Sequence, residues 1–415
     1  RYAFPTEWIN SPPSQNLGMS IVIPSYNEPD ILTTLESLLI CHPVNQDVEV
    51  IVVINTSDAD PEEIQAFSDR QYDHLLEWAE THNRPIFRFC PIRINGIPFK
   101  LAGPGYARKV GMDEAVRRFS KTGNKNGVIV SLDADSVVEP NYLKEIERQW
   151  ANFPKTNGVS IHFEHPLTER GRKIRLGIVN YELHLRYYIH AQKFGGFPFA
   201  FQTVGSCFAV SVVAYAKQGG MNKRKAGEDF YFLHKIIPLG NFYNLTTTKV
   251  YPSPRPSLRV PFGTGKTIAD FIKQKGDDFF TYNFQTFRDL RVFLGQRQLF
   301  YHITKADSEK LIQMLPAPIQ SFLNLAGFIN HLERINGNTA NPESFDKAFF
   351  RWFDAFKLMK FVHFARDNYY PNQEIKAAAN TYLSENFNMT GEEMTKEGLL
   401  KWFRDNNIKS DRIDS

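Results

Sequence analysis

Three short clusters hold residues whose types and spacing can do chemistry. Asp133 and Asp135 flank Ala134 directly after the apolar run 127–132 (GVIVSL). If that run is a strand, carboxylates at i and i+2 point to the same side. They would sit at the carboxyl end of a buried strand, where open α/β sheets bind ligands. Two hard oxygen ligands side by side suit Mg²⁺ or Mn²⁺, and Mg²⁺ characteristically joins one or two carboxylates to substrate phosphates. Aspartates are also common in turns, so the spacing alone leaves both readings standing. A second pair, Asp58 and Asp60, is followed at once by Pro61, Glu62 and Glu63. That is the pattern of a helix N-terminus with an acidic first turn, and its reading is structural.

The second cluster is Pro24, Ser25, Tyr26, Asn27 and Glu28, at the end of the first candidate strand. A ring can stack on a base, a carboxylate can accept from ribose hydroxyls, and the free amides of a helix start suit phosphate. A plain helix cap at Asn27, with Tyr26 packing locally, is the alternative. The third cluster is Gly227, Glu228, Asp229 and Phe230, preceded by Gly219, Gly220 and the cations Lys223, Arg224 and Lys225. Paired acids at a helix start act as dipole partners, or as a general base with a neighbouring acid.

The elements that must position these clusters alternate. Strand-like runs at 19–23, 48–54, 87–90, 127–132, 158–163 and 208–213 are separated by helical patterns, with Ile31, Leu35, Leu38 and Leu39 forming one apolar stripe. This predicts an α/β fold with a mostly parallel sheet flanked by helices. The run 48–54 is apolar except for Glu49, which suits a strand covered on both faces. Residues 251–265 (YPSPRPSLRVPFGTG) read as a long loop, and the pattern after it is helical to the end. There Phe345, Phe349, Trp352, Phe353, Phe356 and Met359 are expected to form one wide apolar face. Such a face would pack on the preceding α/β domain, form a homodimer or touch a membrane surface. The resulting division is an N-terminal arm at 1–15, an α/β domain at 16–260 and a mainly helical domain at 261–415.

Composition narrows the function classes. The 415 residues are 42% apolar and 23% charged, which is globular rather than disordered. With 49 basic against 45 acidic groups, a strongly basic nucleic-acid binder is excluded. Cys41, Cys90 and Cys207 are too far apart for structural zinc or a disulfide framework, and a reduced, cytoplasmic setting follows. No run approaches ~18 apolar residues, so no membrane span is expected, and the opening residues RYAFPTEWINSPP do not read as a secretory signal. Residues 262–267 (FGTGKT) end like a phosphate loop. Val260 stands where the first glycine is required, and prolines precede it instead of a strand, which rejects ATPase function.

Taken together, four segments resemble family 2 glycosyltransferases of the GT-A fold, in the family's order: 20–28 (SIVIPSYNE), 103–111 (GPGYARKVG), 128–135 (VIVSLDAD), and 205–220 followed by Gly227, Glu228 and Asp229. The resemblance covers roughly 16–240 and stops near 260. It implies a soluble, inverting, non-processive enzyme that moves a sugar from a nucleotide-diphosphate sugar to an acceptor hydroxyl on a glycan, a lipid-linked molecule or a small molecule. Asp133 and Asp135 would hold the divalent cation, Mn²⁺ or Mg²⁺. Pro24, Tyr26 and Glu28 would line the nucleoside pocket, and Arg108 would face the donor phosphates or the metal loop. Asp229 would be the base and Glu228 its neighbour on the acceptor side. Such a protein would be cytoplasmic, with peripheral contact at the inner face of a membrane open to it.

The chain departs from the family pattern in places. The acidic residue that usually ends the second strand and contacts uracil is replaced by Ile54, followed by Asn55, whose amide is the substitute. No histidine lies between His234 and His302 to act as a late third metal ligand, so water or another group must complete the shell. The diphosphate then needs other positive charge. The Pro-rich loop carries Arg255 and Arg259, and Arg259, more than Arg255, is expected to reach the diphosphate when the loop closes. Surface charges on a domain linker are the alternative. Rival functions are a sugar nucleotidyltransferase, which would want a Gly-rich, Arg-containing loop where PSYNE stands, and a degenerate module that binds sugar nucleotide or a partner without catalysis.

Overall fold

Strands β1 (Leu17–Ser25) and β2 (Asp47–Ser57) are buried along almost their whole lengths and pair in parallel. Their β-branched runs belong at the centre of a sheet covered on both faces. The charge inside β2 has a partner that the strand pattern does not reveal. Glu49, 1% exposed, takes the Arg118 guanidinium in a forked pair. Arg118 comes from α3 (Pro104–Thr122), which follows α1 (Ile31–Leu39), α2 (Glu62–His82) and β3 (Phe87–Ile97).

The computed structural model describes residues 4–167, 171–257, 259, 263–389 and 394–410, the last four as backbone. After α3 come β4 (Val128–Ser131), β5 (Val137–Val138), α4 (Tyr142–Asn152), β6 (Gly158–Phe163), α5 (Arg172–Phe194), β7 (Phe208–Ser211), α6 (Val212–Lys217), α7 (Glu228–Ile236), β8 (Phe242–Tyr251) and α8 (Thr264–Lys273). The sheet has eight strands in the order β3-β2-β1-β4-β7-β6-β8-β5. The β3-β2-β1-β4 half is parallel, β7 runs antiparallel to both its neighbours, and β5 antiparallel to β8. This is the mixed, mostly parallel α/β sheet expected from the alternation of patterns. The N-terminal arm lies along α3: Arg117 donates to the Phe4 carbonyl at 2.7 Å and Arg118 to the Ser11 carbonyl at 2.9 Å.

Two compact units divide the chain. The first takes Arg1–Ile178, Gln202–Lys273 and Asn407–Ser415, and the second Val179–Phe201 and Gln274–Asn406. The expected boundary at 260 lies outside the described residues, as do Leu258, Pro261 and Phe262 of the Pro-rich loop. The first unit runs on through Lys273, and from Val179 onward α5 belongs to the second.

The second unit is helical beyond a two-strand ladder of Phe280–Thr281 with Gln373–Glu374. The wide apolar face expected over 345–359 is instead split between two helices, Pro342–Trp352 and Ala355–Asn368. Asp354 causes the break. Its carboxylate accepts the Lys357 amide at 2.9 Å and so starts a new helix. The buried residues of that helix are Ala355, Leu358, Phe361, Val362 and Ala365, leaving Phe356 and Met359 half-buried. The first helix's rings are covered within their own unit: Phe349 and Phe353 meet Phe293, with centroids 5.7 and 5.5 Å away, and Trp352 meets Phe328 at 4.8 Å. They need no second copy or membrane to cover them. Among the described residues no helix is long and apolar enough to cross a membrane.

Candidate active site

The carboxyl ends of β1 and β4 carry two of the predicted clusters. Strand β4 stops at Ser131, one residue short of the expected Leu132 and two short of Asp133. The Asp133–Asp135 pair therefore lies in a turn, with the Ser136 amide donating to the Asp133 carbonyl at 3.1 Å. A turn, not the pleat of a strand, sets the direction of these carboxylates. From behind, the Thr34 hydroxyl of α1 fixes that turn by donating to the Ala134 carbonyl at 2.9 Å.

Asp133 and Asp135 are each about a third exposed, at 37% and 34% of the side chain. Burial, then the neighbouring charges of Asp133 and Glu28, pushes the Asp135 carboxyl up to about 7, with Arg255 and Arg259 pulling the other way. A carboxyl crowded in this way is short of positive charge. Among the described residues no group of three or more His, Cys, Asp or Glu side chains is gathered to hold a metal. Two carboxylates without further protein ligands fit a hard divalent ion that completes its shell with water and phosphate oxygens.

At the end of β1 the chain turns sharply. Asn27 adopts φ 46°, a left-handed conformation that asparagine tolerates better than most residues. It does not cap α1, as the sequence suggested; Asp30 holds the cap position and makes no side-chain capping bond. Tyr26 donates its hydroxyl to Asp60 at 2.8 Å, and burial together with this bond pushes its phenol up to about 12. Asp60 also accepts the Ser57 amide at 2.7 Å, and Asp58 accepts the Phe99 amide at 2.9 Å. The Asp58–Asp60 pair thus builds the turn before α2. Gln71 of α2 grips the turn after β1, donating to the Glu28 carbonyl and accepting from the Ser25 hydroxyl at 3.2 Å.

Tyr26, Asn27 and Pro29 face Arg255, Pro256, Ser257 and Arg259 across a cavity of about 660 Å³. Pro24 and Asn55 do not line it: Pro24 is paired with Val53 in the sheet, and Asn55, 3% exposed, is paired with Ile94. Glu28 is buried at 2% and neutralised by the Pro-rich loop. Both Arg255 amino groups bond it, one at 3.0 Å, and Arg259 adds a bond at 3.1 Å and another to the Asn27 carbonyl at 2.8 Å. Arg255 also comes within 3.6 Å of Asp135. The loop is therefore fastened over the end of β1, with Arg255, rather than Arg259, turned to the carboxylate turn.

The third cluster joins the first, the Asp133–Asp135 turn, through Arg108 of α3. Its guanidinium is 3% exposed and divides among three partners: Nε donates to Ser131 at 3.0 Å, Nη1 bonds Glu228 and Nη2 bonds Asp133. Arg108 thus lies between the Asp133 turn and the start of α7. Glu228 faces Arg108 rather than open solvent. Asp229, next to it at the start of α7, accepts the Phe230 amide at 2.7 Å. Burial, then the charge of Glu228, raises the Asp229 carboxyl above its ordinary range. Gly205 makes this packing possible, since a Cβ there would lie 2.7 Å from Arg108 Nη2 and 3.2 Å from Asp229 Oδ2.

Sequence reasoning missed Thr34, Gln71 and the role of Ser131. Gln71 had a visible signal, because it falls on the buried stripe Ser68, Gln71, Leu75, Ala79 of an otherwise polar helix. A large polar residue on such a stripe needs partners. Thr34 had none beyond burial.

Two family models match: Glycosyl transferase family 2 over residues 20–217 and Glycosyl transferase family group 2 over residues 128–331. No curated protein matches. Among solved structures, S. aureus TarS 1-349 aligns with a TM-score of 0.40 at 13% identity, covering 81% of this chain and 92% of that one. The complex of S. aureus TarS 1-349 with UDP-GlcNAc also aligns at 0.40 and 13%, covering 81% and 91%. A longer S. aureus TarS structure aligns at 0.37 with 12% identity, covering 77% of this chain and 53% of that one.

Proposed function

The chain belongs to glycosyl transferase family 2, and from that premise we propose that it transfers a sugar from a nucleotide-diphosphate sugar to an acceptor hydroxyl with inversion, Asp229 being the general base. The observation that carries this reading is the double pairing of Arg108. One buried guanidinium ties the carboxylate turn at Asp133 to the helix start that bears Glu228 and Asp229. Groups for the leaving diphosphate and for the acceptor proton are thereby held in one fixed arrangement, as proximity catalysis requires.

The residues divide the work. The nucleoside enters the cavity between Tyr26 and the Pro-rich loop, where the phenol is already fixed by Asp60. Asp133 and Asp135 would hold Mn²⁺ or Mg²⁺, which supplies electrostatic stabilisation to the charge building on the diphosphate. Arg255, beside Asp135, adds a guanidinium whose paired donors match phosphate oxygens. Asp229 takes the proton of the acceptor hydroxyl while that oxygen bonds the anomeric carbon and the bond to the diphosphate breaks. A carboxylate raised above its ordinary range is a stronger base than a surface aspartate, and such help is worth ~10²–10⁴ in rate. Glu228, paired with Arg108, is the second cause of that rise, after burial.

The test is nucleotide release from UDP-, GDP- and dTDP-sugars, with and without Mn²⁺, for the wild type and Asp229→Asn. Release with one donor class that needs the ion and is lost in the variant is the expected result. A protein that binds a sugar nucleotide but releases no nucleotide with any acceptor would replace catalysis by binding.

A further inference from the structure

Lys223, Arg224 and Lys225 stand just before the Glu228–Asp229 pair, and the mechanism above does not use them. Several cations of this unit sit on carboxylates, among them Arg118 on Glu49, Lys109 on Asp113 and Arg255 on Glu28. Among the described residues these three have no carboxylate partner. Each lies over an aromatic ring instead. Lys223 Nζ is 4.4 Å from the Phe4 centroid and 5.6 Å from that of Tyr106. The Arg224 guanidinium is 3.6 Å from the Tyr231 centroid, and Lys225 Nζ is 3.4 Å from that of Phe99. A ring holds a cation in place by its quadrupole without neutralising it. The result is a run of positioned, uncompensated positive charge, with Phe99 still 62% exposed beside it.

This run is fastened to the base. The Asn222 side chain donates to the Glu228 carbonyl at 2.8 Å. Tyr231, the ring under Arg224, lies two residues beyond Asp229 on α7. Gly105 lets the loop close on α3: a Cβ there would meet the Arg224 carbonyl and would lie 2.9 Å from Glu228 Cβ. The cations therefore keep a fixed relation to the group that receives the acceptor proton. They are also separate in sequence from Arg255 and Arg259, the cations of the donor cavity.

We propose that residues 223–225 form an acceptor subsite for an anionic glycan, a saccharide bearing carboxylate or phosphate close to the hydroxyl that is glycosylated. The inference rests on Asp229 being the base of a glycosyltransferase, and it names the acceptor class of that same site. Fixed cations gain most from an anion that arrives with its orientation already set by the sugar.

Calorimetric binding tests it without turnover, using the whole chain. The carboxylate pair is hyaluronan tetrasaccharide against neutral chitotetraose, and the phosphate pair is 6-phosphorylated mannopentaose against mannopentaose. One anionic probe should bind at least tenfold more tightly than its neutral counterpart and weaken as salt rises. The pair that shows this identifies the anion. Lys223→Gln, Arg224→Gln and Lys225→Gln together should remove the preference, and Lys225→Glu alone should weaken it, while nucleotide affinity stays at the wild-type level. Equal binding of charged and neutral probes overturns the proposal, as does an unaltered preference in the folded triple variant. Loss of nucleotide affinity in place of glycan affinity would also overturn it, by assigning these cations to the donor. Failure of the glycosyltransferase reading looks different: no nucleotide release from any donor, with the glycan preference intact.

Discussion

Arg108 and Glu228 face each other inside the protein, with side chains 3% and 4% exposed, and the same guanidinium holds Asp133 on its other arm. Removing it would strand buried carboxylate charge. Arg108→Met should therefore destabilise the protein by ~3–5 kcal/mol, the usual effect of breaking one partner from a buried pair. Arg108→Lys keeps the charge but loses the fork that serves three acceptors, and it should fall between the two. Urea denaturation measures both, and a loss below ~1 kcal/mol for Arg108→Met would show that the bridge is not needed.

Asp229→Asn should retain nucleotide and acceptor binding but lose at least ~10² in kcat, because only the proton acceptor has gone. The pH profile follows from the raised carboxyl of Asp229. Turnover should rise with pH through an apparent pKa above the ordinary 3.8, and that limb should be absent from the residual rate of the variant. The fold binds this proton more tightly than the unfolded chain does, so ionised Asp229 lowers stability above its folded pKa. Asp229→Asn should accordingly raise Tm in alkaline buffer and give no gain once pH falls below the unfolded value.

Asp135→Ala tests the metal assignment. In the wild type, a nucleotide diphosphate should bind more tightly with Mn²⁺ present, and EDTA should reverse the gain. The variant should bind equally with and without the ion while its far-UV circular dichroism is unchanged. A metal-dependent affinity preserved in Asp135→Ala would remove the two-carboxylate platform from the mechanism.

For the Pro-rich loop, the order of effects is the prediction. Arg255 lies 3.6 Å from Asp135 and grips Glu28 with both arms, whereas Arg259 reaches Glu28 and the Asn27 carbonyl. Arg255→Ala should lose at least tenfold in kcat/KM, ~1.4 kcal/mol of transition-state stabilisation, and Arg259→Ala less. Steady-state kinetics with a matched donor decide it, and a larger loss in Arg259→Ala would restore the order expected from sequence.

Gly205→Ala should lower both stability and kcat. The new methyl group would come 2.7 Å from Arg108 Nη2. Arg108 cannot yield, since Ser131, Asp133 and Glu228 hold it from different directions. Wild-type melting and turnover in this variant would mean that the Arg108 bridge adjusts freely.

The sheet was legible because 19–23 and 48–54 are largely apolar, bounded runs and 158–163 alternates Val159, Ile161 and Phe163 with smaller or polar residues, and local pattern determines such strands. The clusters at Tyr26, Asp133 and Asp229 were legible by residue type, but their connections were not. Arg108 reaches across 120 positions to Glu228 and 25 to Asp133, and no local spacing encodes that. Glu49 read as a blemish in an apolar strand because its partner Arg118 lies 69 positions away. Residues 345–359 misled for a different reason. Apolar periodicity continued through Phe353 and Phe356, but the capping preference of Asp354 overrode it.

The division of α5 has a consequence for the birth of the protein on the ribosome. Val179–Phe201 belongs with Gln274–Asn406. Tyr187, fully buried in the finished fold, packs against Phe284 at a tilt and edge-on to Phe287, and His190 bonds Tyr382. All of those partners are translated later, after the stretch 202–273. At ~5–20 residues per second that stretch takes roughly 4–15 s to synthesise. Throughout this interval the nascent helix must carry its apolar side without the residues that finally cover it. It is the segment on which a chaperone waiting at the exit tunnel would act, and slowing translation across 202–273 would prolong the hazard, not relieve it.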